Sequence, residues 1–349
     1  MNSPCPTVIF RVDASAGMGL GHLMRCRAVA EAVTDLGGGA VFAMVDPAPS
    51  FVDLLKDIPA EALQLPGPAG GDADLAALRA HVERLQPVCT VVDGYHLGDQ
   101  YLREVARMSR LAVLWDAPDR TPVPAAVVID PSPQASAEAY GAIAPGATML
   151  LGPRHALIRR DIRAAIRAPR TALAERASLV LSFGGSDPLG LTVPVARRIV
   201  SELPASVTVT ALVGAAYPRP QDLHDLAVSL SPRLRVEVNP PSVAPLFVAA
   251  GLVVTAAGGT IGELVALGAP ALAVVVAQNQ APTSGGPYPC LDGRVADAAE
   301  LIAQRAVALW NDCSARAGLV QRVTGLVDGE GAVRIAGVLL SKFSSEGES

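Results

Sequence analysis

Lysine is almost missing from this chain: Lys56 and Lys342 are its only two, and arginine supplies the remaining cations. We read that bias as codon usage rather than function. A formal net charge of -5 argues against a nucleic-acid partner, for which a basic face is expected. No positively charged leader precedes an apolar core at the N-terminus, so nothing marks secretion and the protein is expected in the cytoplasm. The most apolar stretch, residues 264–277, is shorter than the roughly 20 residues of a membrane span. Glu263 and Gln278 flank it, and it reads as a helix end followed by a buried strand. The five cysteines are widely spaced and form no C-x-x-C pair, which fits reduced intracellular thiols. His81, His96, His155 and His224 show no ligand spacing with His22, which argues against a zinc site.

What remains is a globular composition. Half of the 349 residues are apolar, enough for two domains with full cores at a soft prior of roughly one per 150 residues. β-branched runs at residues 8–13, 40–45, 88–93, 111–116 and 126–130 alternate with helical stretches. The second half repeats the rhythm at 178–183, 207–213, 234–238, 252–256 and 271–276. Such alternation predicts parallel sheets covered on both faces. The expected organisation is an α/β fold with an N-terminal Rossmann-like domain over residues 1–155, a linker over 156–177 and a C-terminal Rossmann-like domain over 178–349. The linker is arginine-rich (Arg159, Arg160, Arg163, Arg167, Arg170, Arg176) and reads as a solvated connector. Helices are expected over 295–310 and 331–343. Two such domains facing each other across a cleft would turn the glycine loops of both toward one ligand.

The most informative stretch is the block from Arg11 to Cys26, R-V-D-A-S-A-G-M-G-L-G-H-L-M-R-C, which sets a histidine where a glycine loop turns from a strand into a helix. Loops at the carboxyl ends of strands are where open α/β sheets keep ligands. Glycine lets the backbone approach a phosphate, and the N–H groups of a first helical turn favour negative charge. Gly19 and Gly21 are therefore candidate phosphate or sugar contacts, and His22 adds a proton acceptor near neutral pH. The alternative for His22 is a helix N-terminal residue bonded to the backbone. Gly17-x-Gly19 also invites a nicotinamide dinucleotide reading, but His22 stands where that fingerprint needs its third glycine.

Two more glycine turns end strands in the second half. Gly184-Gly185-Ser186-Asp187-Pro188 follows the run at 178–183, with Pro188 suited to the first turn of the next helix. Gly258-Gly259-Thr260 follows the run at 252–256, with Glu263 one turn into the next helix. Backbone N–H groups and a hydroxyl there suit a diphosphate, and the carboxylate suits ribose hydroxyls. T-x-x-E is equally a capping box, with Thr260 as N-cap and Glu263 its partner. Tyr95, after Asp93, reads as a packing residue or a ligand contact, and Asn279-Gln280 as a turn or a ligand contact.

Together these segments resemble the UDP-2,4-diacetamido-2,4,6-trideoxy-β-L-altropyranose hydrolases of pseudaminic acid biosynthesis and the related spore-coat polysaccharide proteins. The resemblance rests on R-x-D-x-x-x-x-x-G-x-G-H-x-x-R at Arg11 to Arg25, Asp93-Gly94-Tyr95, Ala156-Leu157-Ile158-Arg159, Ser182 to Asp187, Gly258-Gly259-Thr260 with Glu263, and Asn279-Gln280. It implies a GT-B fold, UDP held mainly by the second domain, a metal-independent reaction without a cofactor, and His22 in the catalytic position. The chain departs from the family pattern at Gly94, where a histidine is usual, at Ala117, where a second aspartate often follows Asp116, and over the Pro/Gly-rich residues 281–292. Asp72-Ala73-Asp74 resembles the metal motif of other glycosyltransferases, but it closes a Gly/Pro loop and reads as a helix N-terminus with its cap.

The expected reaction is attack by water on the anomeric carbon of a UDP-linked diacetamido sugar, releasing UDP and free sugar for nonulosonic acid synthesis. His22 is the expected base, with Asp13 orienting it or the sugar. Gly258, Gly259 and Thr260 are assigned to phosphate and Glu263 to ribose. Arg11, Gly19, Gly21, Arg25, Tyr95, Gly185, Ser186, Asn279 and Gln280 complete the expected substrate contacts. A GT-B glycosyltransferase with an acceptor hydroxyl in place of water, or a noncatalytic nucleotide-sugar-binding protein, stays open, as does the oligomeric state.

Overall fold

The computed structural model describes residues 5–15, 18, 20–214, 217–278, 280 and 285–341. The chain divides into two compact units, Met1–Arg160 with Gly329–Ser349, and Asp161–Asp328.

The first unit is built on seven strands: β1 (Thr7–Val12), β2 (Gly39–Val45), β3 (Ala60–Leu65), β4 (Cys89–Asp93), β5 (Leu111–Leu114), β6 (Val127–Asp130) and β7 (Thr148–Leu151). Their order across the sheet is β3-β2-β1-β4-β5-β6-β7, and every pairing is parallel. The second unit carries β8 (Ser178–Ser182), β9 (Thr208–Val213), β10 (Leu234–Val238), β11 (Ala250–Ala256), β12 (Ala271–Val275) and β13 (Cys290–Asp292). Its order is β10-β9-β8-β11-β12-β13, again parallel throughout. Each unit thus shows Rossmann strand order, which reverses direction between β1 and β4 in the first and between β8 and β11 in the second. That reversal opens a crevice at the carboxyl ends of the two central strands.

Central strands are covered on both faces, and their sequences show it. β4 and β11 are buried at every residue, which is why they read as unbroken apolar runs. Each fully buried valine, leucine or isoleucine there stabilises the fold by roughly 1.5–3 kcal/mol. β3, β7 and β13 are additions to the expected strand set. β3 and β7 are the two edges of their sheet, with only Leu65 and Leu150 buried, and β13 has three residues. Neither a solvated edge nor a three-residue run has a periodicity to detect.

The expected second domain, residues 178–349, is corrected at its end. The final helix, Gly331–Leu340, packs on the helix Gly21–Asp35 of the first unit. Its first residue must be glycine, because a Cβ on Gly331 would lie 2.5 Å from the Ala156 backbone nitrogen. The arginine-rich linker also has structure: it contains the helix Arg160–Ile166. Arg160 bonds the Glu31 and Asp35 carboxylates of the first unit, and Arg176 donates to the Ala250 carbonyl of the second. Five cysteines are free thiols. Among the described residues no helix is long and apolar enough to cross a membrane.

Candidate functional site

Val12 of β1 lies opposite Asp93 of β4 in the sheet register, so Asp13 and Asp93 leave the sheet at one edge, where the strand order reverses. β1 leads toward the helix Gly21–Asp35, with His22 as its second residue. Leu20 occupies the N-cap without any side-chain capping bond, and the His22 ring turns instead to Asp93. Its Nδ1 lies 2.6 Å from Asp93 Oδ1. An ionised carboxylate accepts, so Nδ1 carries the proton and Nε2 presents its lone pair.

Arg25, one turn further along the same helix, grips Asp93 with two bonds, Nε to Oδ2 and Nη2 to Oδ1, both 2.6 Å. Its Nη1 donates to Asp116, and the Tyr95 hydroxyl donates to the other Asp116 oxygen. The Tyr95 ring meets the His22 ring edge-on with centroids 4.9 Å apart. Asp93 is fully buried. Burial alone raises its carboxyl, but Arg25 and then His22 outweigh that and hold it below the ordinary carboxylate range. For Arg25, burial works against the charge, while Asp93 and Asp116 more than offset it. Cys26, with Sγ 3.6 Å from Asp93 Oδ2, is pushed up by burial first and by Asp93 next, and stays a thiol.

These bonds correct one expectation: Asp93, not Asp13, orients His22, while Asp13 is engaged by His96, Arg11 and the Val45 N–H. Arg25 is paired with both Asp93 and Asp116. Tyr95 is half exposed, with its hydroxyl anchored.

Asp13 belongs to a second constellation. It pairs with Arg11 Nη1 at 2.7 Å, accepts from the Val45 N–H at 2.7 Å and holds His96 Nε2 at 2.7 Å. Burial raises Asp13, yet His96 and Arg11 bring it below its usual range. Arg11 is completely buried and reaches Asp74 with Nε at 3.1 Å and Nη2 at 2.7 Å. The Tyr101 hydroxyl donates to the same carboxylate at 2.8 Å. Arg11 is therefore an internal cation, and its expected substrate contact is withdrawn. Asp74 is likewise no cap: Gly71 is the N-cap of the helix Asp72–Leu85, and Asp74 turns inward to Arg11. Among the described residues no group of three or more His, Cys, Asp or Glu side chains is arranged to hold a metal ion.

In the second unit, Gly184 has φ +90°, open to glycine, and the loop it begins passes close to Gly214, where an added Cβ would lie 2.6 Å from Gly185 Cα. Asp187 then caps the next helix through the Leu191 and Thr192 N–H groups at 2.9 and 2.8 Å. That helix begins at Thr192, so Pro188 sits in the preceding turn and not in its first turn. At the other turn, Gly259 is the N-cap of the helix Thr260–Leu267, and no side chain caps it. Thr260 is thus the first residue of the helix and not its N-cap. Glu263 is buried within the first turn. Gln280 lies beside Gly258, its Nε2 3.5 Å from where a Cβ on that glycine would sit, while its Oε1 accepts from the Val276 N–H at 3.0 Å. Ser186 is partly exposed at the β8 turn, and Gly21 opens the helix that carries His22. Gly19 and Asn279 lie outside the described residues.

Sequence reasoning missed Asp93 as the partner of His22 and gave His96, Asp116 and Tyr101 no role. One signal was available: an aspartate, Asp93, ending the expected strand 88–93.

No family model matches the chain. A curated relative, the uncharacterized protein MJ1062 of Methanocaldococcus jannaschii, is 20% identical over 275 residues, 77% of this chain and 55% of that protein. The chain thus spans about half the length of the curated relative it matches. Solved structures share its fold across nearly its whole length. UDP-GlcNAc 2-epimerase from Neisseria meningitidis, solved with UDP-GlcNAc, aligns with a TM-score of 0.63 at 12% identity, covering 96% of this chain and 99% of its own. MurG from Acinetobacter baumannii gives 0.62 at 13%, with coverages of 96% and 99%. A UDP-glucosyltransferase from Polygonum tinctorium gives 0.64 at 15%, with 98% and 100%. The fold is GT-B.

Proposed function

We propose that this protein hydrolyses a UDP-linked acetamido sugar, with His22 as general base. One observation carries the reading: His22 is fixed at Nδ1 by a buried, ionised Asp93 at 2.6 Å, which leaves Nε2 as a proton acceptor at the sheet's ligand-binding edge. A histidine retained only to cap a helix has no use for that partner. In the reaction, water attacks the anomeric carbon and gives its proton to His22 Nε2. The bond from that carbon to the β-phosphate oxygen breaks, and its electron pair leaves with UDP. Such a leaving group needs little protonation once N–H groups hold its diphosphate.

The second unit supplies that hold in this reading: Gly185, Gly258, Gly259 and Thr260 toward phosphate, Glu263 toward ribose, with Ser186, Asn279 and Gln280 toward the sugar. Fold neighbours that act on UDP-GlcNAc or transfer glucose from UDP support the substrate class. The diacetamido-trideoxy sugar of pseudaminic acid synthesis is the substrate indicated by the motif block from Arg11 to Arg25.

His22→Asn tests the reading, because asparagine still donates to Asp93 and tolerates a helix start but accepts no proton. UDP release from a panel of UDP-acetamido sugars, with a chelator present and no acceptor added, is expected to fall about 100-fold to 10,000-fold. UDP affinity by calorimetry is expected to stay within a few-fold. A variant that keeps most of its UDP release removes His22 from the mechanism. Parent turnover that requires an added sugar or lipid acceptor makes the protein a glycosyltransferase.

A further inference from the structure

Asp13, Arg11, Asp74 and Tyr101 are each buried to within a few per cent of completely, and the chain of bonds that joins them ends on one side chain that is not. His96 keeps 25% of its side chain exposed. It follows β4 by three residues, on the loop that begins after Asp93 and carries Tyr95, and its partner Asp13 is the first residue after β1. The two loops therefore exchange partners: β4 gives Asp93 to His22, and β1 gives Asp13 to His96. A buried arginine bridging two carboxylates is an expensive way to hold a surface ring. Space has been cleared for the ring as well, since a Cβ on Gly94 would lie 2.7 Å from His96 Cε1. Arg120 fixes the loop from the other side by donating to the Leu97 carbonyl at 2.9 Å.

We propose that His96 is a substrate-binding residue that accepts a hydrogen bond from a hydroxyl or amide N–H of the sugar carried by UDP. Asp13 takes the proton side of Nε2, so Nδ1 presents a lone pair. This inference rests on the UDP-sugar reading above and adds the group that distinguishes a UDP-sugar from UDP.

The test uses His96→Ala, which removes the acceptor, and His96→Gln, whose amide donates to Asp13 while its carbonyl oxygen still accepts. Should the alanine variant fail to fold, His96→Lys takes its place, because it pairs with Asp13 and only donates. Affinities for UDP and for UDP-GlcNAc and UDP-diacetamido sugars are measured by calorimetry, with KM and kcat for UDP release. The alanine or lysine variant is expected to weaken UDP-sugar binding and raise KM about 10-fold, with UDP affinity and kcat within a few-fold of the parent. The glutamine variant is expected to restore most of the loss. Equal weakening of UDP and UDP-sugar, no weakening of either, or a fall in kcat with KM unmoved overturns the proposal. If the parent itself binds UDP but no UDP-sugar, this inference and the hydrolase reading fall together. If the parent turns over and the alanine variant matches it, only this inference falls.

Discussion

Two constellations in the first unit are each built from five residues of the same four types in the same order. His22, Asp93, Arg25, Asp116 and Tyr95 form one; His96, Asp13, Arg11, Asp74 and Tyr101 form the other. In each an arginine bridges two carboxylates, a histidine closes one end and a tyrosine hydroxyl the other. They differ in where water enters. The first opens at its tyrosine end, with Tyr95 52% exposed, and the second opens only at its histidine. The second network ties β1 to the helices Asp72–Leu85 and Asp99–Met108, so it reads as scaffold as far as Asp13 and as a ligand contact beyond it. Coulomb energies and the penalty for an unpaired charge both grow as water is excluded, so truncation is expected to cost most in the second, more deeply buried network.

Truncating the sealed network is expected to have the largest effect on stability. Asp74→Ala leaves Arg11 with half its carboxylate partners and strips an acceptor from Tyr101 and from the Gly70 N–H. A loss of about 3–5 kcal/mol is expected, read as a lower midpoint in urea unfolding at unchanged slope. A loss under about 1 kcal/mol would show that the network is not scaffold.

Acid is expected to act next, and on both networks together. Asp13 and Asp93 are held below the ordinary carboxylate range in the folded protein. Below the unfolded carboxyl value of about 3.9 the unfolded chain binds more protons than the folded one, so stability rises with pH there. The contribution of both groups is fully present above that value and is lost as pH falls through it toward the folded values. Urea midpoints measured from pH 6 down to pH 3 are expected to be level at first and then to drop. Asp13→Asn and Asp93→Asn should each make the drop shallower, and a drop of unchanged steepness in both would remove them as its source.

The smallest effect is expected at the wet end. Asp116→Asn weakens an exposed ion pair to Arg25 and keeps an acceptor for Tyr95, so stability should change by about 1 kcal/mol or less. A loss as large as that of Asp74→Ala in the same urea titration would erase the contrast between the networks.

Much of the fold was legible because its signals are local. Buried parallel strands such as β1, β4, β8 and β11 announce themselves as β-branched runs, and glycine turns mark their ends. The edge strand β3 is mostly solvated and the three-residue β13 has no period, so neither left a trace. The candidate site was half legible. The position of His22 at a strand-to-helix turn followed from Gly17 to Leu23, but its partner did not, since Asp93 lies 71 residues away.

The sequence by itself determined the alternation of strands and helices, two sheets, three glycine turns and a histidine at the first of them, all features set by a few neighbouring residues. Tertiary structure alone decided which aspartate serves which histidine. Asp13 is nearer to His22 in the chain, yet sheet order places β4 beside β1 and gives His22 to Asp93, leaving Asp13 for His96. It also returned Gly331–Leu340 to the first unit, where the missing Cβ of Gly331 lets the helix meet Ala156. The physical reason is common to both: charge pairing and close packing depend on distance in space, which the order of residues along the chain does not state.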